Sequence, residues 1–192
     1  RITGLSAREG HIFGGDTLII KGANFLTTKQ NGKIHFENAE AAKYLFWSND
    51  SLVCVTPAHL PDTVSIYIKN NNLKEGYGFE CFTYKPPVTD KINPFYLSCS
   101  GNEQMQIAGK LFGPEQNGIK ILFDKAMATT YHSWNDSVII LNSPPNAEGL
   151  TDITFKLNDS IFYTIRGWIY YSNKQLHELC GNIPDTLKQK NA

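Results

Sequence analysis

The feature that most constrains this chain is an internal repeat. When the 192-residue sequence is compared with itself, residues coincide at a constant offset of 87 without any gap. Three aromatic residues, Phe25, Phe36 and Trp47, recur at the same 11-residue steps as Phe112, Phe123 and Trp134. Further matched pairs are Ile20/Ile107, Gly22/Gly109, Pro57/Pro144, Ile66/Ile153, Lys69/Lys156 and Tyr84/Tyr171. The chain is therefore two copies of one domain of about 85 residues.

The repeat predicts two domains and a short tail. Domain 1 comprises residues 1–86, domain 2 comprises residues 87–172, and residues 173–192 form a tail or the start of a linker. The junction, "YKPPVTDKI", contains a diproline that favours an extended and stiff connection. Because the chain opens at Arg1 directly before a strand-like stretch, we expect it to be a piece of a longer protein.

Both copies read as short strands separated by turn residues. "TLIIKG", "SLVCVTP" and "TVSIYIK" in the first copy, and "MQIAG", "VIILNSP" and "ITFKL" in the second, lack helical periodicity. Strands of this length and spacing predict an all-β fold of two antiparallel sandwiches. Ile92 and Ile107 are three residues closer together than Ile2 and Ile20, and the second copy lacks the double glycine Gly14–Gly15. We therefore expect the turn after the first strand to differ between the copies.

The first copy resembles the IPT/TIG domain, an immunoglobulin-like (E-set) fold shared by plexins and transcription factors. The resemblance rests on "ITGLSAREGHIFGGDTLIIKGANF", on "SLVCVTPA" and on "FTYKP"; the second copy resembles the family through "INPF", "IAGKLF", "NSPP" and "IYY". Known settings of the family are tandem copies in receptors and adhesion proteins, dimerisation and DNA-contact modules in Rel-like factors, and accessory modules of starch-acting enzymes. The tandem arrangement is most similar to the first setting.

Composition and motifs argue against several other functions. Eighteen basic and 18 acidic residues give no net charge, so the basic face of a nucleic-acid binder is not expected. The sequence contains no run of about 18 apolar residues, so we expect no direct membrane contact. The five histidines are scattered, and no nucleophile, phosphate-loop or paired-carboxylate motif occurs. We therefore predict no catalytic site, no metal site and no cofactor, while a Ser/His/Asp site assembled from distant strands stays open.

Four cysteines and three sequons are typical of a secreted or cell-surface protein. Cys54 and Cys81 align with Leu141 and Trp168, so we expect these positions to be neighbours that are bridged in copy one and packed in copy two. Cys99 and Cys180 would pin the tail to domain 2, and buried free thiols are the alternative for all four. The "NDS" sequons begin at Asn49, Asn135 and Asn158. A shared Asn-Asp turn is the alternative for the first two.

Five aromatic residues without an obvious repeat partner are the predicted protein contacts: Tyr77, Phe79, Tyr96, Tyr131 and Tyr163. The repeat-matched aromatics are expected to be core. The favoured hypothesis is a non-enzymatic extracellular segment of a receptor or adhesion protein that binds another protein through sandwich faces or end loops. The alternatives are an intracellular scaffold or transcription-factor fragment, and a carbohydrate-binding accessory module.

Overall fold

The computed structural model describes residues 1–69, 75–116, 118–157 and 160–173. Within these ranges the regular secondary structure consists of β-strands and contains no helix. The chain divides into two compact units, Arg1–Pro86 and Pro87–Ala192. The predicted all-β class is confirmed. Within the described ranges, no helix has the length and apolar character of a membrane span.

The first unit is a sandwich of two sheets. One sheet has the order β1-β3-β7-β6 and the other has the order β2-β9-β8-β4-β5. All pairings are antiparallel except that of β2 with β9. The strands are β1 Ile2–Leu5, β2 Glu9–His11, β3 Thr17–Gly22, β4 Lys33–Phe36, β5 Ala39–Glu40, β6 Lys43–Trp47, β7 Ser51–Val55, β8 Asp62–Lys69 and β9 Glu75–Lys85.

The second unit repeats this topology strand for strand. Its sheets have the orders β10-β12-β16-β15 and β11-β18-β17-β13-β14, and β11 is parallel to β18 as β2 is to β9. The strands are β10 Val88–Asn93, β11 Tyr96–Ser98, β12 Gln104–Lys110, β13 Ile119–Phe123, β14 Ala126–Met127, β15 Tyr131–Trp134, β16 Val138–Asn142, β17 Gly149–Leu157 and β18 Ser160–Ser172. The two copies that the sequence predicts are two tandem sandwiches of one design.

The core of each sandwich contains the repeat-matched isoleucines, Phe25, Phe36, Tyr84 and their counterparts, among other apolar residues. Strand alternation turns Leu18 and Ile20 inward, where they are buried. In the first unit, Phe36 packs edge-on against Phe82 and Tyr84, with ring centroids 5.6 and 6.2 Å apart. Its counterpart Phe123 is likewise fully buried, and its ring is edge-on to Tyr171 at 6.3 Å.

The matched tryptophans fasten a loop in each unit. The indole N–H of Trp47 donates to the carbonyl of Phe25 at 3.0 Å, and that of Trp134 donates to Phe112 at 3.1 Å. The rings of Phe25 and Phe112 are buried. Each tryptophan therefore ties the chain that follows β3 or β12 to the sheet edge formed by β6 or β15.

We expect Trp47→Phe to lower the free energy of unfolding of the first unit by about 1–2 kcal/mol, because it removes the donor to the Phe25 carbonyl and some ring packing. Chemical denaturation, monitored by hydrogen exchange of the amides of each unit, measures this loss of unfolding free energy. Trp134→Phe is the matched variant and has the same expected effect in the second unit. An unchanged first unit would mean that the indole hydrogen bond does not hold the loop.

The expected difference in the turn between the copies is wrong. Gly14 and Gly101 both have positive φ, at 69° and 68°, and Asn102 at φ 63° takes the place of Gly15 at 92°. Gly15 N donates to Thr56 O, and Asn102 N donates to Ser143 O. Asparagine tolerates this left-handed conformation better than other non-glycine residues, so the turn survives the substitution.

The prediction is wrong because it treats Ile92 in the first strand of copy two as the equivalent of Ile2. Strand pairing places Leu5 opposite Ile20 and Ile92 opposite Ile107, so Ile92 corresponds to Leu5 and not to Ile2. The offset of 87 therefore holds without a gap through the first strand as well. The crossover between the two sheets is Ser6–Arg8 in one unit and Pro94–Phe95 in the other.

Candidate interaction surface

Two of the five predicted contact aromatics have a structural role. Tyr96 is only 7% exposed. The hydroxyl of Tyr131 accepts a hydrogen bond from Ile121 N at 3.0 Å, and Tyr44, which lies 87 residues earlier, accepts one from Ile34 N in the same way. Tyr131 thus has a repeat partner after all, and burial raises the pKa of its hydroxyl. These two tyrosines are not exposed contacts.

The other three predicted contacts stay predictions. Tyr163 is half-buried, with its ring 5.9 Å from that of Phe155. Tyr77 and Phe79 lie in β9, and their side chains fall outside the described residues.

The sequon asparagines lie in matching hairpin turns but have different roles. Asn49 is exposed, and its Oδ1 accepts from Leu26 N at 3.3 Å. Asn135 is exposed too, and its Oδ1 accepts from the backbone N–H groups of Ser137 and Val138, each at 2.9 Å. The Asn-Asp turn is therefore real in the second unit, and glycosylation of either residue stays a prediction. Asn158 lies outside the described residues.

The predicted Cys54–Cys81 bridge is not formed in the structure. Cys54 is a fully buried free thiol in β7, on the inner side of its sheet. Cys81 is a half-buried free thiol in a bulge of β9, where residues 79–81 stand opposite Ser65 alone. Its thiol lies 3.2 Å from the carbonyl oxygen of Gly78. The two cysteines belong to different sheets, and the bulge turns the second towards its own strand.

Cys99 is the third described cysteine and is also a half-buried free thiol. It directly follows β11, and its backbone N–H donates to Ser172 O at the end of β18. Its predicted partner Cys180 lies outside the described residues, so a Cys99–Cys180 bridge stays a prediction.

The thiols differ in expected reactivity. Burial raises the pKa of the Cys54 thiol to about 12, so almost none of it is thiolate at pH 8. Burial also raises the pKa values of Cys81 and Cys99, but both side chains are partly accessible. We expect iodoacetamide to label Cys81 in the native chain and to label Cys54 only after denaturant is added, while Cys99 is labelled only if it is not bridged to Cys180. Peptide mass spectrometry without reductant is the readout; a linked Cys54–Cys81 peptide would contradict the free thiols.

A contact between the buried His11 and Asp16 supports the glycine turn of the first unit, and no sequence motif reveals it. His11 is 6% exposed; its Nε2 lies 2.9 Å from Asp16 Oδ1, and its Nδ1 lies 3.2 Å from Gly14 O. His11 N also donates to Asp16 Oδ2. In the second unit Ser98 N donates to Glu103, the residue that corresponds to Asp16. The His–Asp pair therefore braces the glycine turn.

The outer face of the β1-β3-β7-β6 sheet carries an apolar row in the first unit. Ile19 of β3 is paired with Val53 of β7, which is paired in turn with Phe46 of the edge strand β6. Ile19 is 37% exposed and Phe46 is 54% exposed, while Leu45, the extra residue of a bulge in β6, is 48% exposed. We call Ile19, Val53, Phe46 and Leu45 the apolar row. Its side chains cross three neighbouring strands on the side away from the core.

The same face of the second unit is polar at three of the four matched positions. The counterparts of Ile19, Val53 and Phe46 are Gln106, Ile140 and Ser133, and they pair in the same register. The counterpart of Leu45 is His132, whose Nε2 lies 2.7 Å from Asn142 Oδ1. Asn142 Nδ2 donates in turn to Asn102 Oδ1 at 3.0 Å. The inner positions stay apolar in both copies, while three of the four row positions change from apolar to polar side chains.

Charge on this face differs between the units as well. Lys21 and Lys43 point outward at opposite corners of the apolar row, opposite Ser51 and Val55 respectively. Their counterparts in the second unit are Ala108 and Thr130. No group of three or more His, Cys, Asp or Glu side chains that could hold a metal ion occurs among the described residues. The candidate functional feature among the described residues is therefore this exposed sheet face of the first unit, where another molecule can bind.

Residues 1–85 and residues 87–169 each match the protein-family model of the IPT/TIG domain. The chain belongs to the IPT/TIG domain family. The resemblance that the sequence motifs indicate is thereby confirmed for both copies. A comparison with curated protein sequences finds no match.

Solved structures with similar folds come from several kinds of protein. The full extracellular region of plexin A4 matches with 18% identity and a TM-score of 0.48 over 90% of this chain. SGBP-B from a complex xyloglucan utilization locus in Bacteroides uniformis matches with 18% identity and a TM-score of 0.39 over 88% of this chain. The surface glycan-binding protein PbSGBP-B from Prevotella bryantii matches with 15% identity and a TM-score of 0.38 over 87%.

The tandem IPT/TIG chain spans only part of each of these proteins. It covers 18% of the plexin chain, 49% of the Bacteroides uniformis chain and 40% of the Prevotella bryantii chain. The role of the apolar row is therefore inferred only from the residues of the first IPT/TIG domain of this chain.

Proposed function

We propose that this tandem IPT/TIG segment is a non-enzymatic, extracellular part of a receptor or adhesion protein, and that its first domain binds another protein through the apolar row. One observation carries this proposal: the three exposed residues of the row, Ile19, Leu45 and Phe46, are apolar in domain 1, and their counterparts in domain 2 are polar. A fold requirement would act on both copies alike. The difference therefore favours a role in recognition over a role in folding.

The chemistry of the row fits a protein partner. Isoleucine, valine, leucine and phenylalanine offer no hydrogen bonds, so a ligand gains by removing their surface from water. A contiguous exposed apolar patch on a soluble domain is typical of a protein–protein contact. Phe46 is the natural anchor because it has the largest exposed ring of the row, and aromatic residues are enriched where interfaces bury most surface.

The test measures how strongly the chain, presented in several copies on one probe, binds to intact cells of its source organism. The variant carries Ile19→Gln with Phe46→Ser, which places the residues of domain 2 on the face of domain 1. We expect about a tenfold loss of cell binding, since a central apolar anchor and its neighbour are removed. The matched control, Gln106→Ala with Ser133→Ala, changes the same two places in domain 2 and should bind like the unaltered chain.

Pretreatment of the cells separates the alternatives. Protease should abolish binding, and glycosidases should leave it intact. Binding that resists protease and is lost on glycosidase treatment would favour the carbohydrate-binding alternative. Full binding by the folded Ile19/Phe46 variant, or no binding by the unaltered chain, would count against the proposal.

A further inference from the structure

The row has a charge pattern that narrows the kind of partner, and this step rests on the proposed function. Nine outward positions belong to β3, β7 and β6: Thr17, Ile19, Lys21, Ser51, Val53, Val55, Lys43, Leu45 and Phe46. Two of these nine are lysines, and none is acidic. The face is therefore positive on a chain that has no net charge.

The two lysines border the apolar row diagonally. Lys21 is opposite Ser51 and Lys43 is opposite Val55, so they lie four residues apart along β7, or about 13 Å at the usual rise of a strand. They also belong to strands on either side of β7, which adds about 10 Å across the sheet. Val53, the centre of the apolar row, lies midway between them. The charges thus lie at two corners of the apolar surface.

These lysines lack a carboxylate partner among the described residues. Lys21 Nζ donates to the neutral Ser51 Oγ at 3.1 Å, and the structure shows no ion pair for Lys43. By contrast, Lys33 is paired with Glu40 at 2.7 Å on the other sheet, and Lys85 is paired with Glu9. The turn between β6 and β7 contains Asp50, whose carboxylate accepts from Ser48 Oγ.

We propose that the partner is a different protein that presents apolar side chains bordered by carboxylates. Carboxylates facing Lys21 and Lys43 would supply the charge that this chain does not provide, and they would set the orientation of the contact. A second copy is disfavoured, because two such faces brought together would juxtapose lysines without acidic side chains. Domain 2 lacks both the row and the corner charges, so the two features differ together between the copies.

The first test identifies the preferred chemistry without knowing the natural partner. A displayed library of random peptides is selected on the immobilised chain and counter-selected on the Ile19→Gln, Phe46→Ser variant. We expect the enriched peptides to combine aromatic or aliphatic residues with Asp or Glu. Their binding should weaken as NaCl is raised from about 50 to about 500 mM, since salt screens exposed charges. Enrichment of neutral or basic peptides would overturn the acidic partner.

The second test separates charge from apolar contact. Lys21→Ala with Lys43→Thr installs the residues of domain 2, and we expect about a tenfold weaker affinity for the selected peptides with most of the loss in the association rate. Lys33→Ala removes a lysine that already has a carboxylate partner and is the control; it should change affinity little.

The outcomes distinguish this inference from the proposed function. If the lysine variant binds normally while the Ile19/Phe46 variant does not, the acidic border is wrong and the apolar contact stands. If sedimentation shows a dimer of the unaltered chain that the Ile19/Phe46 variant loses, a second copy is the occupant and the inference is overturned. If no selected peptide depends on Ile19 and Phe46, the contact surface itself is wrong.

Discussion

Replacing Phe36 with alanine is expected to lower the free energy of unfolding of the first IPT/TIG domain by about 4 kcal/mol. The ring is fully buried and packs edge-on against Phe82 and Tyr84. Truncation removes its burial and leaves a cavity between two sheets that cannot collapse freely, because β4 is held by β8 and β5 on either side. A loss of this size is a large part of the stability of a domain of about 85 residues.

The repeat supplies the matched variant for this experiment. Phe123→Ala removes the corresponding ring, which is buried and edge-on to Tyr171, and should cost a similar amount in the second domain. Guanidinium unfolding followed by hydrogen exchange of amides from each domain measures both variants. Each should act on its own domain. A loss below about 1 kcal/mol for Phe36→Ala would contradict the core that the structure describes.

The architecture could be predicted from the sequence because its signals are periodic. Rings spaced 11 residues apart and repeated at an offset of 87 reveal both the duplication and the core. Alternation in "TLIIKG" identifies the inward residues Leu18 and Ile20. Each of these signals depends only on positions that must be apolar for a sandwich to form, and those positions are the same in both copies.

Predictions that depended on individual pairs of residues fared less well. Cys54 and Cys81 lie in strands of different sheets, and a bulge in β9 shifts the second; such bulges leave no clear mark in a sequence. Tyr131 does have a repeat partner, because Tyr44 occupies the same place in copy one. Tyr96 is an aromatic without a counterpart and is nevertheless buried.

The candidate surface could not be predicted because it requires knowing which side of a strand faces solvent. Alternation in "TLIIKG" places Ile19 on the outer side of its strand, but Val53 sits in the apolar run "LVCV", where alternation is hidden. Only the register shows that they pair across strands on the outer side, next to Phe46. The two copies differ at these positions, but the difference identifies a surface only when inward and outward positions are told apart.

Replacing Gly14 with alanine is expected to lower the free energy of unfolding of the first domain by about 3 kcal/mol, from backbone strain and overpacking together. Gly14 has φ 69°, where a Cβ is unfavourable for an L residue. A Cβ there would also lie 2.6 Å from the Pro57 carbonyl carbon and 2.7 Å from Thr56 O. Both obstacles are backbone atoms, which cannot rotate away as a side chain can. Urea unfolding of the first domain measures the loss.

Two further variants separate strain from crowding. Gly101→Ala should cost as much in the second domain, because φ is 68° and the Cβ would meet the backbone of Pro144 and Pro145. Gly118→Ala has a similar φ of 78° but no atom within 4 Å of the added Cβ, so it should cost only about 1 kcal/mol. Equal losses at Gly101 and Gly118 would mean that the turn yields to the added methyl, and that the close packing of the glycine turn against Pro57 or Pro144 is not what fixes it.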